Sequence, residues 1–122
     1  MNKDSTEHAP SASDHRCPVV EFVNMISGKW AIPILYRLIV EDEPVRFSVL
    51  QRATTPITQK ELTRHLRLFE QQGLVTRQVY LEVPPRVEYE ITDLGRTLKP
   101  MMQALADWMV TYGSQIKGIR TR

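Results

Sequence analysis

The stretch that decides the fold is Thr58–Gly73, TQKELTRHLRLFEQQG, followed directly by Leu74 and Val75. Thr58 is a good helix N-cap, and Glu61 three residues later completes a capping box. Ile57 and Leu62 stand where a hydrophobic staple places them. At about 100° per residue, Leu62, Leu66 and Phe69 share one face. Lys60, Thr63, Arg64 and Arg67 share the opposite face, with Gln59 at its edge. Gly73 supplies a left-handed stop. The spacing predicts a helix whose outer face carries the residue types that pair with base edges and phosphates. A merely solvated amphipathic helix has the same pattern, so the neighbouring segments must decide.

Upstream, Cys17-Pro18 reads as a helix start, with Cys17 as N-cap and Pro18 at the first helical position. Val19, Phe22, Val23 and Ile26 follow at helical spacing, and Ser27-Gly28 ends that helix. A second helix is expected from about Lys29 to Val40, with Trp30, Ile34, Leu35, Leu38 and Ile39 apolar and Pro33 early enough to be tolerated. The acidic run Glu41-Asp42-Glu43-Pro44 is a turn. Val45-Arg46-Phe47 has the form of a very short strand. Ser48 then caps a helix through Ala53, with Val49 and Leu50 inward, and Thr54-Thr55-Pro56 turns the chain into the Thr58 helix. Two short helices joined by such a turn make a helix-turn-helix.

Downstream, the period changes from 3.6 to 2. Val75, Val79, Leu81 and Val83 alternate with Thr76, Gln78, Tyr80 and Glu82, with Arg77 interrupting the apolar set. Pro84-Pro85 cannot continue a ladder. Val87, Tyr89 and Ile91 alternate again, so a hairpin with a stiff tip is expected. A last helix starts at Thr92 and runs to about Lys117, bent at Pro100. Its stripe of Leu94, Leu98, Met101, Met102, Leu105, Trp108, Met109, Tyr112 and Ile116 is more than so small a domain can cover. A dimer interface shared with the Cys17–Ile26 helix is the expectation, with Phe22, Leu105, Trp108, Met109 and Tyr112 at its centre. The alternative is a terminal helix packed on its own domain alone.

The 122 residues suit one domain. Residues 1–15 are expected to form a flexible polar tail and residues 16–122 the folded unit. One cysteine leaves no intramolecular disulfide. With no apolar run of membrane-spanning length and no secretory signal, a cytoplasmic protein is expected, without a membrane. The net charge of +2 hides an uneven distribution: −3 over residues 1–43, +4 over 44–87 and +1 over 88–122. The basic excess surrounds the Thr58 helix, the footprint of polyanion binding. No metal-ligand spacing, nucleophile elbow or phosphate-cradling glycine loop is present, so an enzyme, a metal site and a cofactor are not expected.

Several motifs stand together in order: Cys17-Pro18, Gly28-Lys29-Trp30, Arg46-Phe47-Ser48, Thr58-Gln59-Lys60 with Leu62-Thr63, Glu70 with Gly73-Leu74-Val75, Pro84-Pro85-Arg86-Val87-Glu88-Tyr89, and Thr92-Asp93-Leu94-Gly95. Over residues 17–112 the chain resembles the HxlR-type winged helix-turn-helix transcriptional regulators, relatives of the MarR group. The resemblance implies a mainly α fold with a small β-hairpin wing. It implies a homodimer joined through the terminal helices and a pseudo-palindromic double-stranded DNA operator. The chain departs from the family at Val49, where an acidic residue is usual, and at Thr54-Thr55-Pro56, where an apolar-Pro-Gly turn is usual. Both departures bear on the angle of the recognition helix.

For base contact the residue types favour Thr58, Gln59, Lys60, Thr63 and Arg64, since Gln pairs with adenine and Arg or Lys with guanine. Arg67 is expected on phosphate. Lys29, near a helix start, combines its charge with free N–H groups to hold another phosphate. Arg46 and Arg77 flank the backbone, and Arg86 at the hairpin tip is expected in a minor groove. Cys17, at a helix N-terminus beside Arg16 and His15, sits in the electropositive setting where cysteines react. The resemblance implies oxidant or electrophile sensing there; a small buried N-cap without reactivity is the other reading. Two other readings stay open: an apolar effector bound at the dimer interface among Trp30, Trp108, Tyr112 and the methionines, and a winged-helix module that binds protein or RNA.

Overall fold

The structure, a computed structural model, describes residues 17–118. The expected tail, with His15 and Arg16, lies outside the described residues. The elements in chain order are α1 (Pro18–Met25), α2 (Ala31–Glu41), β1 (Val45–Arg46), α3 (Phe47–Ala53), α4 (Gln59–Gln71), β2 (Val75–Tyr80), β3 (Arg86–Ile91), α5 (Asp93–Arg96) and α6 (Lys99–Tyr112), closed by a 3-10 turn at Gly113–Gln115. This is a helical layer with a three-stranded antiparallel sheet in the order β1-β3-β2. The core joins Ile34, Leu35, Leu38 and Ile39 of α2, Leu50 of α3, and Leu62, Leu66 and Phe69 of α4 to Val75, Tyr89 and Ile91 of the hairpin.

Helix α4 forms much as its sequence predicts. Thr58 is its N-cap and accepts a hydrogen bond from the Glu61 N–H at 3.1 Å. The Thr58 hydroxyl donates to the Glu61 carboxylate at 3.5 Å. At the other end Gly73 adopts φ 79°, where a side chain would be strained. Leu74 N–H then reaches Phe69 O at 2.9 Å and Gly73 N–H reaches Glu70 O at 3.1 Å. That pair of bonds is a Schellman motif, and it delivers the chain straight into β2.

The hairpin register runs from Val75↔Ile91 to Tyr80↔Arg86, and β1 adds Val45↔Tyr89 and Arg46↔Glu88 on the outer edge of β3. The ladder is shorter than the alternation suggests. It stops at Tyr80, leaving Leu81 and Val83 in solvent instead of continuing the strand. Pro84 and Pro85 have no N–H with which to pair that segment.

Three other boundaries differ from the sequence reading. Helix α2 begins at Ala31, after Lys29, and ends at Glu41. Helix α3 starts at Phe47 with Arg46 as its cap, so Ser48 lies inside the helix and Phe47 is not a strand residue. The single C-terminal helix is replaced by α5, a break at Thr97-Leu98, and α6. Pro100 cannot donate to Arg96 O, and its ring would collide with that carbonyl. Thr97 N–H and Leu98 N–H instead bond three residues back, to Leu94 O and Gly95 O, each at 3.1 Å. Helix α6 restarts with Pro100 in its first turn and gives way at Gly113 rather than near Lys117.

Helix α5 is a strut. Thr92 Oγ1 caps it by accepting Gly95 N–H at 3.0 Å, and donates to Gly73 O at 2.7 Å. A Cβ on Gly95 would lie 2.5 Å from Leu74 O and 2.4 Å from the Ile91 side chain, so only glycine permits this approach. Arg96 bonds Asp42 at 2.5 Å and ties α5 to the end of α2. No described helix is long and apolar enough to cross a membrane.

Candidate nucleic-acid interface

Helix α4 buries Leu62, His65, Leu66 and Phe69. Helical geometry therefore turns Lys60 and Arg64 outward and Gln59, Thr63 and Arg67 toward the hairpin. Between α4 and the hairpin runs an open groove of about 560 Å³. Its walls include Gln59, Thr63 and Arg67 from α4, Arg46 and Ser48 from the β1–α3 corner, and Arg77 and Arg86 from the strands. Four guanidinium groups thus border one groove, with Glu82 as the carboxylate on its wall. Arg46, Gln59, Lys60, Arg64, Arg67 and Arg77 are all exposed, while Thr63 is half-buried.

The structure thus brings Arg46, Gln59, Thr63, Arg67, Arg77 and Arg86 together. Lys60 and Arg64 stand on the same helix, on the outer surface beside the groove. Thr58 is spent as the cap of α4. Lys29 is not among the groove-lining residues. It is exposed just ahead of α2, with its ammonium 5.2 Å from the centroid of the Trp30 ring.

Arg86 is engaged more fully than a free tip arginine would be. Its guanidinium lies 3.8 Å over the Tyr80 ring, bonds Glu82 at 2.6 Å and pairs with Glu88. The hydrogen bond from Arg86 holds the Glu82 carboxyl below its usual range, and the bond to Glu82 raises Arg86 above its own. Spacing could not reveal this pairing, because it depends on how the tip folds back over Tyr80.

No motif in the sequence singles out His65. Its ring is on the buried face of α4, 6.1 Å from the Phe69 ring, and its Nδ1 has no hydrogen-bond partner. Burial depresses its pKa from the ordinary 6.5, and the Arg64 charge depresses it further, while Glu61 opposes both. Ser48 and Tyr89 were likewise missed as groove residues. The Arg46-Phe47-Ser48 motif was the available signal for Ser48.

The sequence model of the HxlR-like helix-turn-helix family matches residues 25–117. The chain belongs to that family. It is 46% identical over 101 residues to an uncharacterized HTH-type transcriptional regulator of Methanothermobacter thermautotrophicus, covering 83% of this chain and 76% of that one. The redox regulator HypR in its reduced form superposes with a TM-score of 0.74 at 37% identity, over 84% of this chain and 99% of HypR. The reduced form of the transcriptional regulator YodB from Bacillus subtilis gives 0.64 at 32% identity, over 76% and 90%. The protein is thus a winged helix-turn-helix transcriptional regulator and not an enzyme. Within that family α3 and α4 are the helix-turn-helix and the β2–β3 hairpin is the wing. Among the described residues, no group of His, Cys, Asp and Glu side chains is arranged to hold a metal ion.

Proposed function

We propose that this HxlR-like regulator acts as a homodimer on a pseudo-palindromic operator and is switched by oxidation at Cys17. The observation that carries the DNA half is the groove of Arg46, Gln59, Thr63, Arg67 and Arg77 beside the exposed Lys60 and Arg64 of α4. Gln59, Lys60, Thr63 and Arg64 read base edges in the major groove. Arg46, Arg67, Arg77 and Lys29 hold phosphates and set the register.

The dimer half rests on α1 and α6. Helix α1 has no buried residue although Val19, Phe22 and Val23 are apolar, and α6 buries Met102 alone. Leu105, Trp108, Met109, Val110 and Tyr112 stay exposed. An apolar surface this large on so small a protein marks an interface. A two-fold axis through it sets two α4 helices about one DNA turn apart, roughly 34–36 Å.

Cys17 caps α1, and its side chain is half-buried at the start of that same surface. Support for a switch comes from two relatives of similar fold, HypR, known in reduced and oxidised forms, and YodB, known reduced and diamide-treated. With one cysteine in the chain, oxidation joins the Cys17 thiols of two protomers, or one Cys17 and a small thiol. Two thiols lose two protons and two electrons to the oxidant as the S–S bond forms. Any resulting shift of α1 alters the spacing of the two α4 helices.

The test is DNA affinity of the wild type and Cys17→Ser across a diamide titration, followed by added dithiothreitol. Wild-type affinity should fall and return, while Cys17→Ser binds throughout. Identical responses from both proteins would remove Cys17 as the sensor and favour an apolar effector at the interface.

A further inference from the structure

The chain leaves the hairpin ladder at Tyr80 and rejoins it at Arg86. Between them Leu81 and Val83 stand wholly in solvent, at 96% and 102% relative exposure. Pro84 and Pro85 beside them are exposed as well. Loop tips are ordinarily built from Gly, Pro, Asn, Asp and Ser. Leu81 and Val83, large apolar side chains at an outermost point, gain nothing for the fold.

Glu82 stands between the two apolar residues, and it is neutralised. Arg86 bonds it at 2.6 Å, pairs with Glu88 and covers Tyr80. Arg46 is the cross-strand neighbour of Glu88. Arg86 therefore engages both carboxylates at the base of the tip. Leu81, Val83, Pro84 and Pro85 form an apolar point at the end of a groove bordered by Arg46, Arg67 and Arg77.

We propose that this tip enters the DNA minor groove as an apolar wedge, with Leu81 and Val83 against the bases. Arg86 is then a positioning residue that cancels Glu82 and stiffens the tip. The inference rests on the DNA-binding reading above and extends it to residues outside α4. Duplex DNA is suited as the occupant on two counts. Apolar side chains enter minor grooves and part base steps there, with least resistance at flexible pyrimidine–purine steps. The basic groove continuous with the tip supplies the phosphate contacts that would hold the flanking backbone. A bare carboxylate at the tip would be repelled by the phosphates lining that groove, which is what the Arg86–Glu82 bond prevents.

The experiment uses the full chain and a duplex that the wild type selects from a random pool, with 2-aminopurine placed at successive steps flanking the α4 site. Wild-type protein should raise 2-aminopurine fluorescence at one flanking step. Leu81→Ser/Val83→Ser should abolish that rise and weaken binding roughly tenfold. Its salt dependence should stay that of the wild type, since no phosphate contact is lost. Leu81→Phe should keep the signal. Arg86→Ala should weaken binding, and adding Glu82→Gln should restore much of it, which a directly reading arginine would not permit. Unchanged affinity and fluorescence in Leu81→Ser/Val83→Ser would overturn the wedge. So would a variant that keeps DNA binding but loses capture by anionic phospholipid vesicles, which would assign the tip to a lipid surface. Should the wild type select no duplex at all, the α4 reading itself fails, an outcome separate from these.

Discussion

The face built from α3, α4 and the hairpin buries most of its apolar side chains within one chain, whereas the face built from α1 and α6 leaves many of its own in solvent. On the first, the ends of α4 and the start of α5 are capped: Thr58 caps α4, Gly73 closes it, and Thr92 caps the strut behind it. Apart from the hairpin tip, its large apolar residues pack inside and its charges lie outside. On the second, Val19, Val23, Trp108, Met109 and Val110 lie open to solvent. The difference teaches where folding and association divide. The surface that is proposed to meet DNA is packed within one chain. The surface that is proposed to set the distance between two such faces leaves its apolar side chains for a second copy to cover.

The comparison breaks most visibly at Trp108. Its ring is 51% exposed and lies 5.5 Å from the Tyr112 ring, in the middle of the open stripe. Trp108→Glu should leave α4 and the hairpin intact but give monomers in analytical ultracentrifugation. Losing the second recognition helix removes the avidity of a two-site grip, and operator affinity should drop roughly a hundredfold or more. Stability should fall with it and cease to depend on protein concentration. A Trp108→Glu protein that sediments as a dimer would return this stripe to the role of ordinary surface.

A smaller effect sharpens the other side. His65 lies on the buried face of α4, and burial holds its pKa below the ordinary 6.5. The unfolded chain therefore takes up this proton before the folded one does. The neutral ring's stabilising effect is complete above about pH 6.5 and is lost progressively as pH falls below that value toward the folded-state pKa. Denaturant midpoints should decline over that acidic window in the wild type, and less steeply in His65→Gln. Parallel declines in both proteins would mean that other groups carry the acid sensitivity.

Much of the DNA face was legible in the sequence because its signals are local. A cap, a period of 3.6, a stop glycine and a change to period 2 lie within residues 58–91, each with its own short-range cause. What stayed hidden depends on contacts distant in the chain or on a competition between local rules. The apolar stripe from Leu94 to Ile116 reads as one helix, but the missing N–H of Pro100 outweighs it and divides α5 from α6. Leu81 and Val83 fit the strand alternation, yet two prolines deny their segment a partner. The Arg86 clamp and the burial of His65 require the folded hairpin and the packed helix. Arg46, Gln59, Thr63, Arg67, Arg77 and Arg86 could be singled out one by one in the sequence, but not as the lining of one groove; its closing corner, Ser48 and Tyr89, comes from the β1–β3 pairing that a two-residue strand barely announces.

The central claim is that α4 reads sequence while the surrounding cations supply position. It is tested most directly by measuring the affinity of wild type, Gln59→Ala, Arg64→Ala and Lys29→Ala for a selected operator and for a scrambled duplex, over a range of salt. The account predicts that Gln59→Ala and Arg64→Ala each lose roughly 1–3 kcal/mol on the operator and little on the scrambled duplex. Lys29→Ala should weaken both duplexes alike and flatten the salt slope by about one unit. Equal losses on both duplexes for Gln59→Ala and Arg64→Ala, or no loss on either, would contradict it.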